Sequence, residues 1–343
     1  MTKVFIPGKL FLAGEYAVTH PGNTAILAAT TTGLSIEIVP SNTKSSAYSN
    51  TLPKQWHFQI NHTENQYVDD WRYVRAAIKI IHDYVKIDAK NNQFNEVVLT
   101  ITSNLNGPFG KIGLGSSAAV VVGVVEAFND FFKLNLPILT RFKLASLAHL
   151  HVQKNGSLGD IAAITYGGVI AYQSPDLSEF TQANKSWLTP TIINKPWPKL
   201  AITPLPWPTD WQLLLGATHE SADTKSAIKG LNLAEEFLSE SQDIVQNIIN
   251  TVVTGNYVNF SKGLRANQLL LTDNLPAGYI TPKLAILLAS LKNVAGKISG
   301  AGFGDNGFAV FNDNVDNLIN FWQLHQIDTQ VIVISPQKEV NYE

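Results

Sequence analysis

Four short stretches hold residues whose types and spacing could do chemistry. Lys9 follows Gly8 in "PGKLFLAGEY", and a glycine–serine run opens "KIGLGSSAAVVVGVVEAF" at residues 111–128. Asp160 closes the polar part of "NGSLGDIAA", and "SGAGFGDNG" places four glycines between Gly300 and Gly307. The run at 111–128 is the most informative. With Gly107 and Gly110 upstream, Gly113 and Gly115 make four glycines within nine residues, a density that costs backbone entropy and calls for a reason. A helix's first turn leaves backbone N–H groups unpaired at the positive end of its dipole, and glycine lets a phosphate approach them. Ser116 and Ser117 can cap that helix or donate to phosphate oxygens. The Walker pattern is absent, because Lys111 is followed by Ile112. Gly113, Gly115 and Ala118 match G-x-G-x-x-A, but a dinucleotide fold needs a strand and an acid after the helix, where this chain reads "LNLPI". The bland alternative is a tight turn whose serines cap a core helix. Asp160 taken alone is equally an ordinary N-cap. Three glycine-rich loops with one lysine and one aspartate together suit phosphoryl transfer, where catalysis is mainly positioning and charge neutralisation.

The elements that must position these residues read as mixed α and β. "KVFIPG", "TAILAAT", "LSIEIVP" and "WHFQI" have strand character, with a polar Ser/Thr/Asn loop expected at 41–51. Trp71, Val74, Ile78, Ile81 and Val85 follow helical spacing. A strand at 96–105 leads into the glycine loop, helices follow at 116–133 and 139–152, and "GGVIAY" is a further strand. Residues 174–208 carry many prolines and tryptophans with little periodicity, so a domain boundary is expected there: residues 1–190 nucleotide-binding, 191–343 closing the cleft. Beyond it lie "WQLLLGA", helices across 225–293, two strands around the last glycine cluster, a final helix and the strand "QVIVIS".

Composition narrows the functional classes. At 343 residues the chain is about twice one domain. Only 15% of residues are charged and the net charge is −2, which gives no support to a nucleic-acid or anionic-membrane partner. With no cysteine, disulfides, thiolate metal sites and a Cys nucleophile are excluded. The start "MTKVFIPGKL" lacks an apolar signal core and no apolar run reaches a membrane span, so a cytoplasmic protein is expected. The eight histidines form no site by spacing: His149 and His151 lack a nearby carboxylate.

"PGKLFLAGEYAVTHPGNTAI", "KIGLGSSAAV" and "KISGAGFGDNGFAV" resemble, in order, the three signature motifs of the GHMP small-molecule kinases. "GEYAV" with "PG" after it, Lys111, "NGSLGDIAA" and Asp305 are most similar to the bacterial branch that phosphorylates phosphomevalonate. The resemblance implies a two-domain α+β fold, with a ribosomal-protein-S5-like N-terminal domain and a ferredoxin-like C-terminal domain. It implies ATP as co-substrate with Mg²⁺, and phosphomevalonate as acceptor in the mevalonate route to isoprenoids. Carried over, Gly113, Leu114, Gly115, Ser116, Ser117 and Ala118 are the ATP phosphate loop, with Ser117 a Mg²⁺ ligand. Lys9 and Asp160 are the catalytic pair. Lys111, Ser157, Gly300 and Ala301 contact the acceptor phosphate, with Tyr16 beside the pocket and Thr224 keeping a hydroxyl near it. Phe303, Asn306, Ala217 and Asp223 depart from the family pattern, and His149 stands where mevalonate kinases place a Mg²⁺-binding glutamate.

Acceptor chemistry separates the alternatives. An alcohol must lose a proton during attack, which calls for a general base. A phosphate monoester, with a second pKa of about 6, is already mostly dianionic at neutral pH. Its difficulty is repulsion between polyanions, which Lys9 and Lys111, both expected on glycine loops, would offset. Phosphomevalonate is therefore preferred over mevalonate. A non-catalytic nucleotide sensor on the same fold would need neither Lys9 nor Asp160.

Overall fold

In the computed structural model, residues 1–62, 68–88, 94–107, 110–182, 190–221, 231 and 233–338 are described. The spine of the first half is β2 (Thr24–Pro40), whose residues Ala25 to Ala29 are all buried and whose later half alternates Leu34, Ile36 and Ile38 inward. The two strands expected at 24–30 and 34–40 are thus one continuous strand. They join at Thr31–Gly33, where a Cβ on Gly33 would lie 2.0 Å from the Ile6 carbonyl oxygen of β1 (Thr2–Ala13). β1 runs antiparallel along one edge of β2, with a register shift between Pro7 and Gly8.

Among the described residues the large sheet has seven strands. β1 lies on one edge of β2, and the remaining order is β4 (Trp56–Phe58), β3 (Ser45–Ser49), β5 (Val97–Ser103), β2, β8 (Val169–Gln173) and β9 (Ala201–Leu205). Two of these were not visible in the sequence. β3 lies inside the expected polar loop and pairs parallel to β5. Its place is fixed by polar bonds: the Glu96 carboxylate accepts from the Ser45 N–H at 3.0 Å, from the Ser45 hydroxyl and from the Ile60 N–H at 3.3 Å. β9 pairs with β8, so the last strand of this sheet lies beyond residue 190, where the sequence reading divided the chain. The two-residue pair β6 (Asn106–Gly107) and β7 (Gly110–Lys111) leads into the glycine loop.

Helices α1 (Arg72–Asp88), α2 (Ser116–Phe131), α3 (Ile138–Gln153) and α4 (Gly159–Tyr166) pack together, with α2 and α4 directly on β1 and β2. A short α5 (Ser178–Gln182) follows β8. Nearly every α2 residue from Ala118 to Asn129 is buried, which is why its sequence reads as one apolar run rather than an amphipathic stripe.

The second half is a four-stranded antiparallel sheet, ordered β11 (Ala295–Ser299), β12 (Gly304–Phe311), β10 (Gln212–Ser221) and β13 (Asp328–Ile332). The paired helices α6 (Glu235–Thr254) and α7 (Tyr257–Asn274), with α8 (Pro282–Ser290) and α9 (Asp316–Leu324), cover it. Among the described residues, no helix is long and apolar enough to cross a membrane.

Candidate active site

Lys9 is not on a glycine loop. It lies mid-strand in β1, just past the register shift, and is 8% exposed. Its N–H donates to the Leu114 carbonyl at 2.9 Å, which docks the glycine loop onto the strand. Gly113 and Gly115 have φ of 73° and 79°, a region that costs other residues about 1–2 kcal/mol. A Cβ on Gly115 would lie 2.8 Å from Lys9 Cγ and 2.9 Å from Cε. The second glycine therefore makes room for the lysine stem as well as for a phosphate. Gly115 is the N-cap of α2, leaving the N–H groups of Ser116, Ser117 and Ala118 in its unpaired first turn.

Asp160 sits in the first turn of α4, entered through Leu158 at φ 68°. The Lys9 Nζ lies 3.5 Å from Asp160 Oδ1 and 5.3 Å from the centroid of the Phe11 ring. The Asp160 side chain keeps 35% of its surface exposed. Upstream, Ser157 Oγ accepts from the Gly159 N–H at 3.3 Å, and the Ser157 carbonyl accepts from the Tyr172 hydroxyl at 2.5 Å.

The third wall comes from the turn between β11 and β12. Gly300, Gly302, Phe303 and Asp305 all have positive φ there. Phe303, one of the departures noted above, is buried against Tyr279 with ring centroids 6.0 Å apart. Asn306, another of them, donates from Nδ2 to the Ile112 carbonyl at 2.8 Å and so holds the glycine loop from the opposite half. Two residues whose roles the sequence reading missed anchor this turn. Lys297 Nζ, fully buried, donates to Glu15 Oε1 at 2.5 Å and to the Ile298 carbonyl at 2.6 Å. Burial pushes the Lys297 amine down, and the Glu15 carboxylate pulls it back up. The Gly300 N–H donates to the same Glu15 oxygen at 3.3 Å, Ser299 Oγ donates to the Phe11 carbonyl at 2.9 Å, and the Tyr16 hydroxyl donates to the Ala301 carbonyl. The only signal for the pair was a lysine set among apolar residues in "AGKIS".

A cavity of about 520 Å³ results, with Lys9, Asp160, Ser157, Tyr16, Gly300 and Ala301 among its lining residues. Gly113 and His149 reach it too. The His149 ring stacks on Tyr73 at 5.6 Å between centroids, and its Nδ1 is buried without a partner among the described residues. Burial lowers its pKa, against an upward pull from the Asp160 charge. A second cleft of about 270 Å³ is lined by Ser116, Ser117, Trp71 and Tyr73. The glycine loop and the start of α2 thus stand between two cavities. The Lys111 side chain and Thr224 lie outside the described residues.

The matches to known families cover both halves. The model of the GHMP kinases N terminal domain matches residues 72–168, and that of the GHMP kinases C terminal matches 244–327. A phosphomevalonate kinase of Streptomyces sp. (strain CL190) is 32% identical over 329 residues, covering 89% of this chain and 88% of that protein. A crystal structure of a Listeria innocua protein superposes with a TM-score of 0.89 at 29% identity, covering 98% of both chains. The Streptococcus pneumoniae phosphomevalonate kinase in complex with phosphomevalonate and AMPPNP superposes with a TM-score of 0.86 at 26% identity, covering 97% of this chain and 100% of that one. The chain belongs to the GHMP kinases and has their two-domain fold.

Proposed function

We propose that the chain transfers the γ-phosphoryl group of ATP to the phosphate of (R)-5-phosphomevalonate, giving 5-diphosphomevalonate and ADP. One observation carries this reading: the glycine loop separates a cleft walled by Trp71 and Tyr73 from a cavity holding Lys9, Asp160 and the Gly300–Ala301 turn. A nucleotide lying in the cleft would cross the first turn of α2 with its phosphates and present the terminal one to an acceptor in the cavity. The Streptomyces and Streptococcus relatives, both phosphomevalonate kinases, support the acceptor.

In this reading an acceptor phosphate oxygen attacks the γ-phosphorus, and the bond to the β,γ-bridging oxygen breaks as ADP leaves. The acceptor is ionised beforehand, so no proton need move. Lys9 offsets the charge of the two meeting phosphates, held in place by its buried stem and by Asp160 at 3.5 Å. Asp160 orients that amine. The N–H groups of Ser116, Ser117 and Ala118 hold nucleotide phosphates, while Gly300, Ala301, Ser157 and Lys111 hold the acceptor phosphate. Tyr16, whose hydroxyl burial and the Glu15 charge keep protonated, flanks it.

Mg²⁺ fits the donors this chain offers. Among the described residues no three His, Asp or Glu side chains gather into a metal cage, and Mg²⁺ carried on phosphates needs only one or two hard oxygen ligands. The Ser117 hydroxyl would be such a ligand, and the ion would neutralise phosphate charge. ADP release assayed with phosphomevalonate, mevalonate, homoserine and galactose side by side tests the function. Turnover with phosphomevalonate alone is expected, and turnover with mevalonate instead would overturn the acceptor.

A further inference from the structure

The far edge of β2 carries β8 along residues 24–28 and β5 along residues 34–40. The gap between them is filled by the end of the chain. After β13, the Val333 carbonyl accepts from the Thr31 N–H at 2.8 Å, Ile334 forms a bridge with Thr30, and the Ser335 N–H donates to the Ala29 carbonyl at 2.9 Å. Directly across β2, Thr30 and Ala29 are the register partners of Gly8 and Lys9. A strand from the second half therefore backs the segment that presents Lys9.

The same tail then grips α4. The Gly168 N–H donates to the Ser335 carbonyl at 3.1 Å. The Lys338 N–H and Gln337 Nε2 both donate to the Tyr166 carbonyl at 2.8 Å, filling an acceptor that a helix end leaves open. The fit is close: a Cβ on Gly167 would lie 2.3 Å from the Pro336 carbonyl oxygen, and one on Gly168 2.2 Å from Gln337 Oε1. Lys338 Nζ also reaches Glu126 Oε1 of α2 at 3.3 Å. α4 is an eight-residue rod, roughly 12 Å long, and Asp160 stands at its other end.

We propose that Ser335, Gln337 and Lys338 are positioning residues for phosphoryl transfer, setting the Lys9–Asp160 geometry from behind through β2 and α4. None of them touches the cavity. The inference rests on the function proposed above for its kinetic readout, but hydrogen exchange reads it independently.

The test compares the full chain with a chain ending at Ile334, using phosphomevalonate turnover, AMPPNP affinity by calorimetry and amide exchange. In the shortened chain kcat should fall by about 10-fold or more, since a misplacement near 1 Å can cost ~10². AMPPNP affinity and the KM for ATP should change less than about twofold. Exchange should rise at residues 161–168 while that of α2 stays put. A peptide of residues 333–343 added in trans should recover part of kcat. An unchanged kcat, or a loss shared equally by AMPPNP affinity and α2 protection, would overturn the proposal. If the shortened chain does not fold, Gln337→Ala decides. A kcat loss of about twofold or more with unchanged AMPPNP affinity supports positioning, and a parental kcat overturns it. If the parent itself turns over none of the acceptors, the functional reading fails, and faster exchange confined to residues 161–168 still decides whether the tail braces α4.

Discussion

Gly115→Ala separates two things that the second loop glycine does. Its φ of 79° alone imposes about 1–2 kcal/mol of strain on alanine, which corresponds to a modest loss in thermal midpoint. The larger effect is local. The new methyl would stand 2.8 Å from Lys9 Cγ and 2.9 Å from Cε, against an ordinary contact distance of at least 3.4 Å. The lysine stem is hemmed in at 8% exposure, so it must give by several tenths of an ångström, moving the amine off Asp160. Displacement on this scale near reacting atoms costs about 10-fold to 10²-fold in kcat. Steady-state kinetics with phosphomevalonate, calorimetry with AMPPNP and thermal melting read the three effects apart. A variant that melts a few degrees lower but keeps parental kcat would refute the claim that Gly115 makes room for Lys9. Gly115→Val should in addition abolish AMPPNP binding, and parental affinity there would remove the phosphate-loop reading.

Lys297→Met leaves the Glu15 carboxylate buried and unpaired, which typically costs about 3–5 kcal/mol; adding Glu15→Gln should recover much of it, and a double variant no better than the single would contradict the pair's role in chemical denaturation. His149 has a depressed pKa in the fold, so the unfolded chain binds its proton first. Stability should fall as pH drops below the ordinary value of about 6.5, and His149→Gln should flatten that part of the thermal-midpoint profile; an unaltered slope would show that the ring is not held neutral. Lys111→Ala should raise the KM for phosphomevalonate more than that for ATP, and equal changes would assign it to the nucleotide or to stability.

The parts of the fold with strong periodicity or a covalent reason were legible. The glycine run, α2 and the start of α4 followed from residue type, because positive φ and an unpaired helix turn leave a mark in sequence. β3 was hidden because Glu96, not an apolar pattern, fixes Ser45 and Ile60. β9, "AITPL", carries a proline and half-exposed positions, tolerable only at the edge of a sheet. Lys9 was expected on a loop because Gly8 precedes it, yet that glycine marks a register shift within β1. Glu15 and Lys297, 282 residues apart, meet only in the folded chain, and nothing local to either announces the other. The tail's grip on α4 is equally non-local, made largely by backbone donors that any residue but proline would supply.

Phosphoryl transfer here turns on a nucleophile that is already ionised, so that charge offset outweighs proton removal. The most direct measurement compares kcat for Lys9→Met and Asp160→Asn with phosphomevalonate across pH. Lys9→Met should lose the more, on the order of 10²–10³ for a well-aimed electrostatic contact, and Asp160→Asn should remove no limb from the pH profile. A larger loss in Asp160→Asn, with the disappearance of a limb present in the parent, would mean that Asp160 takes a proton from a hydroxyl acceptor and would contradict the account.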